Sequence, residues 1–171
     1  MARHADHPAG APLAGITVVS LEQAVAAPYA TRQLADLGAR VIKVERPDGG
    51  DFARGYDRTV HGQSSYFVWL NRGKQSLTLD LKQPAGRQVV HRLLDSADVL
   101  VQNLAPGASA RLGLDATTVG KRHPGVIACT ITGYGESGPW RDRKAYDLLV
   151  QAEAGLLSVT GSPAEAARTG I

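Results

Sequence analysis

Short apolar runs rich in β-branched residues alternate along the chain with stretches in which apolar residues recur at helical spacing. The runs in "GITVVSLE", "ARVIKVE", "DVLVQN" and "GVIACTIT" are nearly continuous, which is typical of strands buried on both faces of a parallel sheet. The alternating segment "SLTLDL" predicts a further strand. The pattern as a whole predicts an α/β fold with a parallel sheet and flanking helices.

Proline, glycine and aspartate mark the ends of the intervening helices. Pro28 fits the first turn of a helix that Gly38 closes as a C-terminal cap, and Pro84 opens the next helix. A short helix begins near Asp115, and "AYDLLVQAEAGLLSVTG" predicts a last helix that is capped near Gly161. The final residues, "SPAEAARTGI", predict a turn that enters a strand.

Composition narrows the class of protein only slightly. The 171 residues are 43% hydrophobic and 20% charged, and the net charge of +3 suits an anionic ligand without forming the basic stripe of a nucleic-acid binder. No apolar run approaches the roughly 18 residues that span a bilayer, and the start of the chain lacks the apolar segment of a signal peptide. We therefore expect a cytoplasmic protein without nucleic-acid or membrane partners, with residues 1–12 as a flexible tail.

The residues that bind metals and form disulfides are sparse. Cys129 is the single cysteine, which excludes an internal disulfide and fits a reducing compartment; its apolar run predicts a buried side chain. His4 and His7 lie in the polar tail with no further metal ligands at suitable spacing, so we predict no metal site.

The first strand, helix and second strand have the outline of a dinucleotide-binding unit. Glu45 ends the second strand, where an acid would bind a ribose, but the turn "EQAVAAP" before the helix contains no glycine. The string Gly133, Gly135 and Gly138 has dinucleotide-loop spacing, yet Pro139 follows where a helix should begin. That string is either a loop that approaches a ligand closely or a simple turn, and neither unit predicts a dinucleotide site.

Basic and amide side chains recur near the ends of the predicted strands. Arg46 follows the second strand, residues 71–74 precede the third, and Asn103 follows the fourth. Because the carboxyl ends of parallel strands share one edge, these groups could bind phosphates together, although each one alone could equally be a solvated surface residue. Tyr146 and Asp147 open the last helix, where Asp147 is either a helix-capping acid or part of an active site.

Several segments resemble, in order, the N-terminal part of the family III CoA-transferases, a family that includes α-methylacyl-CoA racemase as a relative. They are "PLAGITVVSLEQAVAAPYATRQLADLGARVIKVERPDGGDFAR", "YFVWLNRGKQSLTLDLKQPAGRQ", "ADVLVQNLAPGASARLGLD" and "VIACTITGYGESGPWRDRKAYDLLVQAEAGLLSVTG". The resemblance implies that residues 13–171 form the N-terminal part of a Rossmann-like large domain that binds CoA. The small domain and the C-terminal return to the large domain would then be absent from this chain.

The resemblance also implies which residues line the CoA site. Coenzyme A or acyl-CoA would bind as a substrate rather than as a permanently bound cofactor. The residues that match the family's CoA-binding motifs are Arg46, Leu70, Asn71, Arg72, Lys74, Gln102, Asn103, Arg111 and Lys144.

The resemblance further implies a transfer of CoA between carboxylic acids through a covalent aspartyl intermediate. The nucleophilic aspartate would lie just beyond Ile171, so the chain alone would be inactive, and Tyr146 and Asp147 would have supporting roles. Val25 replaces a glutamine that stabilises intermediates in formyl-CoA transferase, which indicates either a different acid substrate or a different means of stabilisation. An interlocked homodimer is expected.

Two alternatives remain open at this point. A racemase-type isomerase is disfavoured because that branch of the family has an acid/base histidine at Tyr146, and an ordinary tyrosine pKa near 10 suits this work poorly. The other alternative is a non-catalytic CoA-binding module.

Overall fold

A computed structural model describes residues 10–170, so His4, His7 and most of the predicted tail lie outside the described residues. The chain forms two compact units, the first ending at Ile131 and the second beginning at Thr132. That residues 13–171 belong to a single domain stays a prediction.

The first unit is built on one parallel sheet, which confirms the predicted α/β class. Its five strands lie in the order β3-β2-β1-β4-β5, and the order reverses between β1 and β4. Ligands of open α/β sheets bind beside the carboxyl ends of the strands at such a reversal. The strands are β1 (Thr17–Leu21), β2 (Arg40–Glu45), β3 (Lys74–Thr78), β4 (Val99–Gln102) and β5 (Ile127–Thr130).

Helices connect the strands and cover both faces of the sheet. Gly38 follows the first helix with a φ of +100°, as its predicted role as a helix terminator requires. Pro84 begins the third helix and Asp115 caps the fifth, both as predicted. The helices are α1 (Ala26–Asp36), α2 (Ser65–Asn71), α3 (Pro84–Leu94), α4 (Ala108–Leu112) and α5 (Ala116–Arg122), with a short 3-10 helix at Phe52–Gly55.

One face of the sheet carries the larger apolar core. Val90 and Leu94 of α3 and Val119 of α5 pack onto it, and each is at most 1% exposed. Burying a side chain of this size contributes about 1.5–3 kcal/mol, so this face supplies much of the stability of the unit. The strand and loop residues of the same core are Val19, Leu21, Val44, Leu100 and Leu114.

The opposite face, under α1, is partly polar. Val18, Val41 and Val101 pack against Ala27 and Ala35 of α1. Further along β2, however, Lys43 and Glu45 are buried at 1% and 5% exposure. The expectation that β2 is an apolar strand is therefore wrong at these two positions, which belong to the charged cluster described below.

Three local features of the structure differ from what the sequence indicates. β3 begins at Lys74 and ends at Thr78, whereas the alternation predicted a strand from Ser76 onward. The aromatic segment that precedes it, to which no element was assigned, forms α2 because Ser64 caps it by accepting a hydrogen bond from the Phe67 N–H. Cys129 is exposed rather than buried, because it lies on β5 at the edge of the sheet.

The second unit contains two short helices and a small hairpin. The single predicted helix is broken at Gly155, whose φ of +76° separates α6 (Asp147–Glu153) from α7 (Leu156–Val159). Two-residue strands, β6 (Gly161–Ser162) and β7 (Glu165–Ala166), then pair in antiparallel fashion. Within residues 10–170, no helix combines the length and the apolar character required to cross a bilayer.

Candidate functional site

A cavity of about 280 Å³ opens at the carboxyl edge of the sheet in the first unit. Its walls are formed by the ends of β1 and β2, the segments after β3 and β4, and the helix α4. Its lining includes seven charged residues: the cations Arg46, Lys82 and Arg111, and the anions Glu22, Glu45, Asp51 and Asp80. The apolar lining consists of Leu21, Val44, Leu79, Leu81, Leu104 and Leu112.

Arg46 and Arg111 bring two positive charges to this one cavity. Arg46 directly follows β2, and its Nε donates a hydrogen bond of 2.8 Å to the carbonyl of Gly50. Arg111 lies in the last turn of α4 and is exposed. Guanidinium groups bind phosphate oxygens through paired hydrogen bonds, so an apolar cavity with two arginines suits a ligand that has an apolar body and phosphate groups.

The turn between β1 and α1 is built without glycine. The N–H of Gln23 donates to Oδ1 of Asn103 at 2.8 Å, and the N–H of Ala24 donates to Oδ1 of Asp51 at 3.0 Å. Ala24 has a φ of +62°, in the left-handed region that a non-glycine residue adopts at a cost of about 1–3 kcal/mol. In a dinucleotide site the N–H groups of this turn point at a pyrophosphate, whereas here two side chains already occupy them.

The carboxylate of Glu45 is also engaged in hydrogen bonds within the protein. Its carboxylate accepts hydrogen bonds from Arg54 at 2.7 and 2.9 Å, from the Ser76 hydroxyl at 2.5 Å and from the Asp51 N–H at 3.0 Å. Burial would raise the pKa of Glu45, but the hydrogen bonds from Arg54, Ser76 and Asp51 outweigh it and lower that pKa to about 2. The carboxylate therefore fixes the loop after β2 and is not placed to bind a ribose.

Four buried charges form a cluster at the cavity, and two of them, Glu22 and Asp51, belong to its wall. Lys43 Nζ is 2.6 Å from Asp51 Oδ2 and 3.7 Å from Glu22 Oε1, and Lys74 Nζ is 2.6 Å from Glu22 Oε1. The four side chains are at most 2% exposed. Two cations thus balance two anions, as buried charges require. Burial, partly offset by the attraction of Glu22, lowers the pKa of Lys74 to about 8.

This buried cluster was missed in the sequence. Lys43 interrupts the apolar run "RVIKVE" at a position that a parallel strand normally buries, which is the one signal that could have revealed it. Of its anionic partners, Glu22 ends the predicted first strand and Asp51 lies in a segment that local patterns describe only as a loop. Nothing in the sequence alone pairs them.

Several predicted site residues lie inside the protein rather than on the cavity wall. Leu70 is fully buried, and Asn71 Oδ1 accepts hydrogen bonds from Lys43 at 2.8 Å and Lys74 at 3.1 Å. Gln102 Nε2 donates to the Thr130 hydroxyl at 3.0 Å. The CoA-binding roles of Leu70, Asn71, Lys74 and Gln102 stay predictions, and their contacts here are internal.

Arg72 does not share the edge that carries Arg46. In the parallel register Lys74 lies opposite Val41, near the amino end of β2, and Arg72 precedes Lys74. Arg72 NH2 is 2.8 Å from Asp36 Oδ2 in the last turn of α1, and its side chain is 57% exposed. The expectation that Arg72 shares this edge is wrong, because Arg72 precedes its strand; its CoA-binding role stays a prediction.

Lys144, Tyr146 and Asp147 belong to the second unit. Tyr146 is the N-cap of α6 but makes no side-chain capping bond, and its ring is exposed. Asp147 is the first helical residue, and its Oδ2 accepts a 2.7 Å hydrogen bond from Nε2 of Gln151. The negative charge of Asp147 in the first turn therefore interacts favourably with the helix dipole, although Asp147 is not the N-cap residue. A role for Lys144, Tyr146 and Asp147 in a functional site stays a prediction.

Comparison with known proteins gives a consistent result. Residues 13–171 match the model of a family described as CoA-transferase family III. The chain is 42% identical over 159 residues to a succinate–glutarate CoA-transferase of Agrobacterium fabrum, and the match covers 89% of this chain and 40% of that protein. It is 41% identical over 150 residues to a formyl-CoA:oxalate CoA-transferase of Afipia carboxidovorans, covering 87% and 35% respectively.

Solved structures agree with the fold. A crystal structure of a CAIB/BAIF family protein from Brucella suis superposes with a TM-score of 0.87 at 38% sequence identity. The superposition covers 94% of this chain and 44% of that one. This chain therefore spans less than half the length of the relatives that it matches.

Proposed function

Because this chain belongs to CoA-transferase family III, we propose that it forms the CoA-binding part of an enzyme that transfers CoA between carboxylic acids. Its substrates are an acyl-CoA and a free carboxylic acid. CoA is held as a substrate and is released after each exchange of acids.

The observation that carries this proposal is the apolar cavity bordered by Arg46 and Arg111. CoA combines an adenosine, phosphate groups and a largely apolar pantetheine arm. The two guanidinium groups suit the phosphates, and the leucine-rich interior suits the uncharged parts. The turn after β1 offers few open N–H groups to a pyrophosphate, so the arginines carry most of the recognition of negative charge.

The chemistry that we propose is covalent catalysis by an aspartate outside these 171 residues. Its carboxylate attacks the thioester carbonyl of the acyl-CoA, which forms a mixed anhydride and releases the CoA thiolate. The thiolate then attacks the aspartyl carbonyl of the anhydride, which releases the donor acid and leaves an aspartyl-CoA thioester. The acceptor carboxylate reverses the two steps, so the exchange needs no net input of energy.

Three further parts of the proposal concern the whole protein. Tyr146 and Asp147 support the active site, and Lys144 contributes to the CoA site. The enzyme acts as an interlocked homodimer in the cytoplasm. The chain by itself does not turn over, because its nucleophile lies elsewhere.

The proposal is tested with the full-length protein, meaning the complete product of the reading frame. The protein is incubated with an acyl-CoA donor and a panel of monocarboxylic and dicarboxylic acids, and new acyl-CoA products are identified by mass spectrometry. We expect at least one acid to become a CoA thioester in an amount equal to the donor acid released. Hydroxylamine added during turnover should trap one aspartyl residue as a hydroxamate.

Two results would contradict the proposal. One is a protein that binds no CoA. The other is a protein that binds acyl-CoA and exchanges the α-proton of a 2-methylacyl-CoA with solvent deuterium without forming any new thioester, since that result indicates an isomerase.

A further inference from the structure

Asp51 connects the two loops that border the cavity at the carboxyl edge. Its Oδ1 accepts hydrogen bonds from the N–H of Ala24, in the turn after β1, and from the N–H of Ala53, in the loop after β2. Its own N–H donates to Glu45 at the end of β2. One carboxylate therefore fixes the relative positions of two loops that are far apart in sequence.

A buried cation holds this carboxylate in place. The second oxygen of Asp51 lies 2.6 Å from Lys43 Nζ, and both side chains are at most 1% exposed. Lys43 also lies over the ring of Phe67, at 5.3 Å, and donates to Asn71 on α2. The position of Asp51 is thus set by a lysine of the sheet that α2 in turn holds in place.

The hydrogen bonds of Asp51 maintain an unfavourable backbone conformation at Ala24. A left-handed conformation at alanine is unfavourable and persists only where surrounding contacts impose it. The hydrogen bond from the Ala24 N–H to Asp51 is such a contact, and Asn103 fixes the neighbouring Gln23. Glu22, Gln23 and Asp51 all line the cavity, so the shape of its wall depends on these bonds.

We propose that Asp51, held by Lys43, is a positioning residue for CoA binding: it keeps the turn after β1 and the loop carrying Arg46 in the conformation that receives the ligand. This inference rests on the proposed function. Asp51 does not contact the reacting atoms. Asp51 orders the two loops before CoA binds. The entropy cost of ordering them therefore does not reduce the affinity for CoA.

The experiment compares variants of the full-length protein by isothermal titration with CoA and by steady-state kinetics. Asp51→Ala removes both acceptor oxygens, and Asp51→Asn keeps one acceptor oxygen but loses the charge that holds Lys43. Val119→Ala is the control for a general loss of stability, because Val119 is fully buried in the apolar core and is not itself among the residues that line the cavity. It lowers stability without touching either loop.

We expect Asp51→Ala to raise the Kd for CoA and the KM for acyl-CoA by about 10-fold, with kcat at saturation within about 3-fold of the wild type. Asp51→Asn should raise the Kd by only about 3-fold, and Val119→Ala should leave it unchanged. Amide hydrogen exchange at Ala24 should accelerate in both Asp51 variants and not in the control. Should Asp51→Ala fail to fold, the Kd of Asp51→Asn decides.

Unchanged CoA affinity in the folded Asp51 variants would overturn the inference, and so would an equal loss of affinity in Val119→Ala. The two proposals fail in distinguishable ways. A wild-type protein that binds no CoA overturns the proposed function and this inference together. A wild-type protein that binds CoA, and is weakened by Arg46→Ala but not by the Asp51 variants, overturns this inference alone.

Discussion

The side chain of Asn103 holds the backbone of Gln23 through two hydrogen bonds, one from the Gln23 N–H at 2.8 Å and one to the Gln23 carbonyl at 2.9 Å. These residues follow β4 and β1, the two strands between which the order of the sheet reverses. In dinucleotide-binding folds the N–H groups of this turn are free to bind a ligand, whereas here the N–H of Gln23 is already bonded to the side chain of Asn103.

Replacing Asn103 tests how much this contact stabilises the site. Asn103→Ala leaves a partly buried N–H and carbonyl of Gln23 without their partner, so the free energy of unfolding should fall by about 1–3 kcal/mol. Urea denaturation measures the change. Asn103→Asp keeps the acceptor but places a carboxylate beside the Gln23 carbonyl, so it should not restore stability; full restoration would show that the donor of Asn103 is unimportant.

The lowered pKa of Glu45 predicts how the stability of the protein depends on pH. Its pKa is lowered from 4.5 to about 2, so the folded protein favours the ionised carboxylate. The resulting stabilisation is fully present above pH 4.5 and is lost as the pH falls from 4.5 to 2, with a total of roughly 3 kcal/mol.

Glu45→Gln should remove this contribution. The variant should be less stable than the wild type at pH 7, and the difference should shrink towards pH 2 in denaturation curves recorded at intervals of pH. A constant difference across this range would mean that Glu45 does not titrate with a lowered pKa.

The buried ion pair of Lys43 and Asp51 predicts a non-additive effect. Lys43→Met leaves two anions near a single remaining cation, Lys74, and should destabilise the protein by about 3–5 kcal/mol. Adding Asp51→Asn removes the unpaired charge and should recover part of that loss. Strictly additive losses in the double variant, measured by chemical denaturation, would contradict the coupling.

Two glycines inside helices predict opposite changes in stability. A Cβ at Gly86 in α3 would lie 2.1 Å from the Asp80 carbonyl oxygen, so Gly86→Ala should destabilise by about 1–3 kcal/mol and disturb a wall of the cavity. Gly120 in α5 faces open space, and Gly120→Ala should stabilise by about 0.5–1 kcal/mol. Thermal denaturation of the pair measures both; a stabilising Gly86→Ala would show that α3 packs less closely on that segment.

Local patterns predicted a strand or a helix well where one local sequence signal is enough to specify that element. The β-branched runs of β1, β2, β4 and β5 and the signals at Gly38, Pro84 and Asp115 mark elements that the structure contains. The failures occur where distant contacts decide. β3 begins at Lys74 because its first residues pair with Val41, a partner that alternation within "SLTLDL" cannot indicate.

The site was predictable only in part, for the same physical reason. Arg46 could be found because it directly follows a recognisable strand, whereas Arg111 was assigned to the CoA site only through the family resemblance, and the helix α4 that carries it was expected to be a loop. The buried charges could not, since Lys43 acquires its partner Asp51 through a loop whose conformation depends on Ala24 and Glu45. A charged residue in an apolar strand indicates a buried partner without naming it.

The most direct test is the affinity of the full-length protein for CoA after single replacement of the two arginines at the cavity and of one arginine at the amino end of β2. Arg46→Ala and Arg111→Ala remove the charges at the cavity, whereas Arg40→Ala removes an exposed arginine at the amino end of the same strand, where it pairs with Gln75. The account predicts that each of the first two raises the Kd for CoA by about 10-fold, and that Arg40→Ala does not change it. Equal affinities in all three variants would contradict it.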